Sequence, residues 1–154
     1  MSTTPRQELD SFLARFTPEI ASHTRKVLKK MRARLPGAVE LVYDNYNALA
    51  IGFGPTDRSS DAVFSIAVFP RWVSLFFLQG AKLKDPDGLL EGKGSQVRHI
   101  VLEEASTLDR PPVKALMKQA LAKARRPLDE NSRGRVIIKS ISAKQRPRRP
   151  EKRV

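Results

Sequence analysis

Cysteine is absent from the 154 residues. The chain therefore forms no disulfide, holds no metal or cluster through thiolate, and has no thiol nucleophile. Histidine occurs only as His23 and His99, which excludes a metal site built from three histidines of one chain. Aromatic residues are sparse at 6%, with a single tryptophan, Trp72. Long apolar runs are missing too. Ala62 to Phe69 and Trp72 to Leu78 are the longest nearly apolar stretches, far short of the ~20 residues that cross a bilayer as a helix. The N-terminal residues lack the basic-then-apolar order of a secretory leader. These absences lead to the expectation of a soluble, cytoplasmic protein with no membrane partner. Hydrophobic residues make up 40% of the chain, enough for one packed core in one domain.

Acidic charge is the next shortage. There are 16 Asp+Glu against 29 Lys+Arg, for a net charge of +13. The excess lies on the flanks: residues 1–34 carry +5, residues 35–109 carry −4, and residues 110–154 carry +12. A mildly acidic middle between basic ends points to a polyanion partner, nucleic acid among them, held through phosphate attraction and counterion release. No helix for reading base sequence is evident, so the expected contact is not sequence-specific.

Thr4-Pro5 and Thr17-Pro18 each pair a cap residue with a proline at the first helical position. Leu9, Phe12, Leu13 and Phe16 recur at helical spacing, as do Ile20, Val27, Leu28 and Met31. The second helix carries Arg25, Lys26, Lys29, Lys30, Arg32 and Arg34 on its other faces and stops at Pro36-Gly37. The period then becomes two. Val39, Leu41 and Tyr43 alternate with Glu40 and Asp44, and Leu49, Ile51 and Phe53 oppose Ala48, Ala50 and Gly52. The small face leaves room for a helix or strand to approach. Residues 62–69 and 72–78 form an apolar hairpin around Pro70-Arg71, expected to be central and covered on both sides. After an irregular stretch from Gly80 to Gln96, Val97 to Leu102 reads as a strand. Asp109 starts the last helix ahead of Pro111-Pro112, and Arg135 to Ser142 reads as a final edge strand. From Ala143 the chain reads as a basic, disordered tail. Its Arg146, Arg148, Arg149, Lys152 and Arg153 suit backbone phosphates.

Few motifs carry chemistry. Gly92-Lys93-Gly94-Ser95 has the glycines and lysine of a phosphate cradle but not the spacing of a P-loop. Asp85 and Asp87, with Glu91 nearby, read as an ordinary turn rather than a cation loop. His99 has no nucleophile motif beside it, and His23 lies among basic residues, exposed. The sequence assigns no catalytic residue and no metal ligand. The aromatics of the strands favour core packing over base stacking.

One stretch has a familiar order. Phe76-Phe77, Gly80-Ala81-Lys82-Leu83, Asp85-Pro86, Leu89-Leu90-Glu91-Gly92-Lys93-Gly94 and Val97-Arg98-His99-Ile100 resemble the YdhG-like family, a bacterial domain of unknown function. The likeness spans roughly residues 20–125. It implies a frataxin-like fold, with helices on one face of a mostly antiparallel sheet, and an iron-chaperone role attached to some members. Frataxin-like iron handling uses an acidic helix. Here the long second helix is basic, and only Glu8, Asp10 and Glu19 are acidic in the first 34 residues.

The expected fold is thus α+β: one domain over residues 1–142, with an antiparallel sheet of five or six strands, two N-terminal helices and one C-terminal helix. The expected function is a non-enzymatic binding module with basic flanks for an anionic partner. Lys82, Lys93 and Arg98 would be anion contacts in a pocket of the Gly80–Arg98 loop, with Trp72 as its apolar wall. No cofactor is expected beyond the iron that the resemblance implies. The alternatives are an iron chaperone and an enzyme acting on a phosphorylated small molecule through the Gly92–Ser95 loop. An apolar outer sheet face would favour a dimer.

Overall fold

The structure, a computed structural model, describes residues 3–150. Two helices open it: α1 (Pro5–Leu13) and α2 (Pro18–Arg34). Both begin where the Thr-Pro pairs predict. Thr4 Oγ1 accepts the Gln7 amide at 3.1 Å while Gln7 Oε1 accepts the Thr4 amide at 2.9 Å, a closed capping box. Thr17 Oγ1 accepts the Ile20 amide. The chain leaves α2 through Gly37, whose φ of +81° favours glycine and whose position would set a Cβ 1.9 Å from the Asp129 carbonyl oxygen.

Six strands follow: β1 (Val39–Asp44), β2 (Leu49–Gly54), β3 (Phe64–Val68), β4 (Val73–Phe77), β5 (Arg98–Val101) and β6 (Arg135–Ile141), with helix α3 (Pro111–Lys123) between the last two. They form one sheet in the order β5-β4-β3-β2-β1-β6. Its pairings are antiparallel except β1 with β6, which is parallel because α3 carries the chain back along the sheet. The chain is therefore α+β, with β6 on an edge as its exposed Arg135 and Lys139 predict.

All three helices cover one face. Val42, Ile51, Ile66, Leu75 and Ile100 lie opposite one another across five strands and meet Leu13, Phe16, Leu28, Met31, Leu116 and Met117 in a single core. The expectation that the β3–β4 hairpin is covered on both sides needs correcting. The strands are interior, but no helix reaches their second face. Small residues there (Ala67, Ser74) are buried, while Trp72 and Val101 remain exposed. The small face of β2 admits the segment after it, where a single 3-10 turn (Ser59–Asp61) approaches. A Cβ on Gly54 would sit 2.8 Å from the Ala62 Cα. Asp57 of the same segment lies 3.8 Å from Arg135, and its carbonyl accepts Lys139 Nζ at 3.1 Å.

β1 is turned opposite to an ordinary amphipathic strand. Glu40 and Asp44 share the helix-covered face with Val42 and are almost fully buried. Each is held by arginines. Arg32 donates to both Glu40 oxygens at 2.9 Å, the bidentate geometry that a guanidinium fork provides. Asp44 is 2.8 Å from Arg148 and 3.3 Å from Arg15.

Asp109 also departs from expectation. It does not cap α3, whose first turn has no side-chain cap. Its carboxylate instead reaches α2, 2.5 Å from Lys30 and 2.9 Å from Arg34. The Lys30 hydrogen bond, and then Arg34, hold its carboxyl below the usual range. A carboxylate with a depressed folded pKa adds stability above its unfolded value of ~3.9, and that stability is lost as pH falls through the folded value. Asp109→Asn should therefore lower Tm at neutral pH, and the gap to wild type should close in acid. A gap of equal size at every pH would show that the tie does not act through charge.

Candidate functional site

The topology gathers three segments at one end of the sheet. Pairing of Asp44 with Leu49 and of Leu49 with Val68 puts the 45–48 turn and the 69–72 turn at the same end. β6 runs parallel to β1, with Ile141 beside Asp44, so the chain beyond β6 emerges there as well.

That last segment is not a free tail as far as Pro150. The Ser142 amide donates to the Asp44 carbonyl and the Arg146 amide to the Tyr46 carbonyl, both at 2.9 Å. Gln145 Nε2 donates to the carbonyls of Asp44 and Ser142. Arg148 is 4% exposed. Its Nη2 donates to Asp44 Oδ1 at 2.8 Å and to the Asn45 carbonyl at 2.5 Å, and its guanidinium carbon lies 5.7 Å from the centre of the Phe16 ring. Arg149 donates to the carbonyls of Arg15 and Ala14 at the end of α1. The expectation of disorder from residue 143 is thereby corrected through Pro150. An interior carboxylate, Asp44, needs a cation, and Arg148 supplies it. Lys152 and Arg153 lie outside the described residues.

This docking builds a cleft of about 600 Å³ lined by Asn47, Phe69, Pro70, Arg71, Trp72, Arg146, Pro147, Arg149 and Pro150. Phe69 and Trp72 close the β3–β4 hairpin, with the Phe69 amide on the Trp72 carbonyl. Their rings stack with centroids 4.6 Å apart and 18° between planes. Trp72 stays 44% exposed. Among the described residues the cleft thus combines an aromatic platform with three arginines and no carboxylate in its lining. No carboxylate lies within ion-pair distance of Arg71, Arg146 or Arg149 among the described residues.

The site residues expected from sequence are therefore regrouped. Trp72, Arg146 and Arg149 come together. Arg148 becomes the buried anchor of their wall. Lys82, Lys93 and Arg98 stay apart from this cleft, at the other end of β4 and beyond. Lys82 and Lys93 are exposed on the 78–97 loop. Arg98 Nη1 donates to the loop's own carbonyls, Gly94 at 2.5 Å and Val97 at 2.8 Å. Gly80 packs so closely on Arg98 that a Cβ there would lie 2.6 Å from the arginine Cβ. In this arrangement Arg98 closes the loop. Asp85 likewise accepts the Leu89 and Leu90 amides at 2.9 and 2.8 Å, which agrees with the turn reading.

The basic run on α2 is largely compensated. Arg25 pairs with Asp10, Arg32 with Glu40, and Lys30 and Arg34 with Asp109. Asp10, one of the three N-terminal acids that an iron role would draw on, is engaged by Arg25 at 2.9 Å. Among the described residues no group of three or more His, Asp or Glu is placed to hold a metal ion. The described donor set does not fit iron.

Both histidines have partners that the sequence did not suggest. His23 Nε2 lies 2.7 Å from the Leu102 carbonyl, so His23 is half-buried rather than exposed. His99 stacks on Phe76 and sits 3.4 Å from Glu91 Oε2. Glu91 could orient the ring, but neither partner is a nucleophile.

A second cleft, about 650 Å³, opens at the opposite end of β1 around Glu40, with Arg6, Arg32, Arg133 and Arg135 in its lining. Arg32 is already engaged by the buried Glu40, and Arg6 lies 3.8 Å from it.

No described helix is long and apolar enough to cross a membrane. Compared with known proteins, the chain matches no family model, no curated protein and no solved structure.

Proposed function

We propose that this protein is a non-enzymatic module that binds the phosphate backbone of nucleic acid through the cleft between the 69–72 turn and the docked 142–150 segment. The observation that carries this reading is Arg71 and Arg146, together with Arg149, lining one concave site with no acid among its described lining residues. Arginine is the side chain best matched to phosphate, through its fork of donors and its weak hydration. On α2 the charge is less available, because four of its six cations are paired internally. The net charge of +13 steers a polyanion toward the surface, and the cleft holds it. Membership of the YdhG-like family belongs to the same proposal and rests on the residue 76–100 pattern.

The test is a salt series on a short mixed-sequence duplex. Each phosphate neutralised adds about −0.9 to the slope of log K against log salt on duplex DNA. Arg71→Ser with Arg146→Ser removes two cations, neither of which makes a side-chain hydrogen bond among the described residues. The slope should become shallower by about 1.8, two contacts at ~0.9 each, with Tm little changed. An unchanged slope, or no binding at low salt, would overturn the reading.

A further inference from the structure

The cleft contains something that phosphate binding does not need. A cation-lined groove suffices for a duplex backbone, but here the chain's only tryptophan forms the platform. Trp72 has one face stacked on Phe69 and still leaves 44% of its surface exposed. Tryptophan carries the largest apolar surface of any side chain, and leaving it in water forgoes the gain that burial would bring. The backbone holds it there. Phe69 and Trp72 are the closing pair of the β3–β4 hairpin, and Pro70 fixes one dihedral of the turn between them. A rigid, stacked, solvent-facing indole beside arginines is what unpaired nucleic-acid bases require. Base–aromatic stacking is worth ~1–3 kcal/mol per base and tolerates any base, because every base has a π-face. In a duplex those faces are already occupied by neighbouring base pairs.

We infer that the cleft takes a single strand, with an unpaired base stacked on Trp72 and the flanking phosphates on Arg71, Arg146 and Arg149. This deepens the backbone-binding reading and rests on it. Its volume of about 600 Å³ is in the ~300–1,000 Å³ range of pockets that enclose a small ligand, room for a base with its phosphate. Binding should be tolerant of sequence, since the described lining holds a single side-chain amide, Asn47, able to read a base edge.

Trp72 is its own reporter, because no other tryptophan contributes to the emission. The protein is titrated at one low salt concentration with a short oligothymidylate, a duplex of equal length, and heparin, which is a polyanion without bases. Fluorescence of Trp72 and anisotropy of labelled oligonucleotide are followed together. The single strand should quench Trp72, and heparin should bind without quenching. Trp72→Ala should weaken the single strand about tenfold, near ~1.4 kcal/mol, and weaken duplex and heparin far less. Trp72→Phe keeps an aromatic platform and should restore most of the loss, which separates stacking from damage to the hairpin. If all three polyanions bind with no quenching, or Trp72→Ala weakens them equally, the single-strand inference fails while backbone binding stands. If none binds, both fail.

Discussion

Arg148→Ala should destabilise the protein by about 3 kcal/mol, the lower end of the ~3–5 kcal/mol expected when one partner of a buried ion pair is removed. The argument starts at Asp44. Its carboxylate is 1% exposed, at the end of the helix-covered face of β1. Water cannot solvate it there, so its charge is balanced by Arg148 at 2.8 Å and Arg15 at 3.3 Å. Arg15 is half-exposed and keeps some contact when Arg148 is gone, which is why the loss falls at the low end. For a chain of this length, ~2–4 °C of Tm accompanies each kcal/mol, so Tm should drop by roughly 6–12 °C.

The pair itself is not strongly favourable. Arg148 Nε and Nη1 are buried without a hydrogen-bond partner among the described residues, and such donors carry a desolvation penalty. Removing both charges should therefore be less harmful than removing one. Asp44→Ala and Arg148→Ala should each destabilise, and the double variant should lose clearly less than the two losses added. Additive losses in thermal denaturation would mean that the two side chains do not act as a pair.

Much of the fold is legible from local pattern, because local physics decides it. The Thr-Pro starts of α1 and α2 are satisfied within one turn of the chain. The stripe of Leu9, Phe12, Leu13 and Phe16 needs only the helical period to be recognised as core. Asp109 failed as a cap because its partners are 75 and 79 residues away, on another helix. The cleft was illegible for the same reason. Trp72 meets Arg146 and Arg149 only because β6 pairs with β1 in parallel register, a long-range choice without a local signature. Within the basic segment, nothing in sequence separates buried Arg148 from exposed Arg146 and Arg149. The available hint lay in β1. Glu40 and Asp44 both sit two residues from Val42, so strand periodicity puts all three on one face, and burial of Val42 would bury two carboxylates that each require a cation. Conversely, the lysine and glycines of residues 92–95 resembled a phosphate cradle, yet the nearby arginine, Arg98, serves the loop's own carbonyls.

Deleting residues 143–154 should therefore do two things at once. It removes Arg146 and Arg149 from the cleft, and it also removes the cation that balances Asp44. The truncated chain should lose at least as much stability as Arg148→Ala, because the hydrogen bonds of Gln145 and Arg149 go as well. It should also bind single strands with a shallower salt slope, by at least about 1.4 for the two cleft contacts at ~0.7 each. The two effects separate in an Asp44→Ala background. With no buried carboxylate left, truncation should cost clearly less stability, while the change in salt slope should stay the same. If the stability loss is unaffected by Asp44→Ala, the segment is held by contacts other than the Asp44–Arg148 pair. If the slope recovers when Asp44 is neutralised, the shallower slope of the truncated chain came from the uncompensated charge of Asp44, not from missing arginines. A loss that shrinks with Asp44 and a slope that does not would assign the segment both roles: Arg148 anchors it in the core, and Arg146 and Arg149 face the ligand.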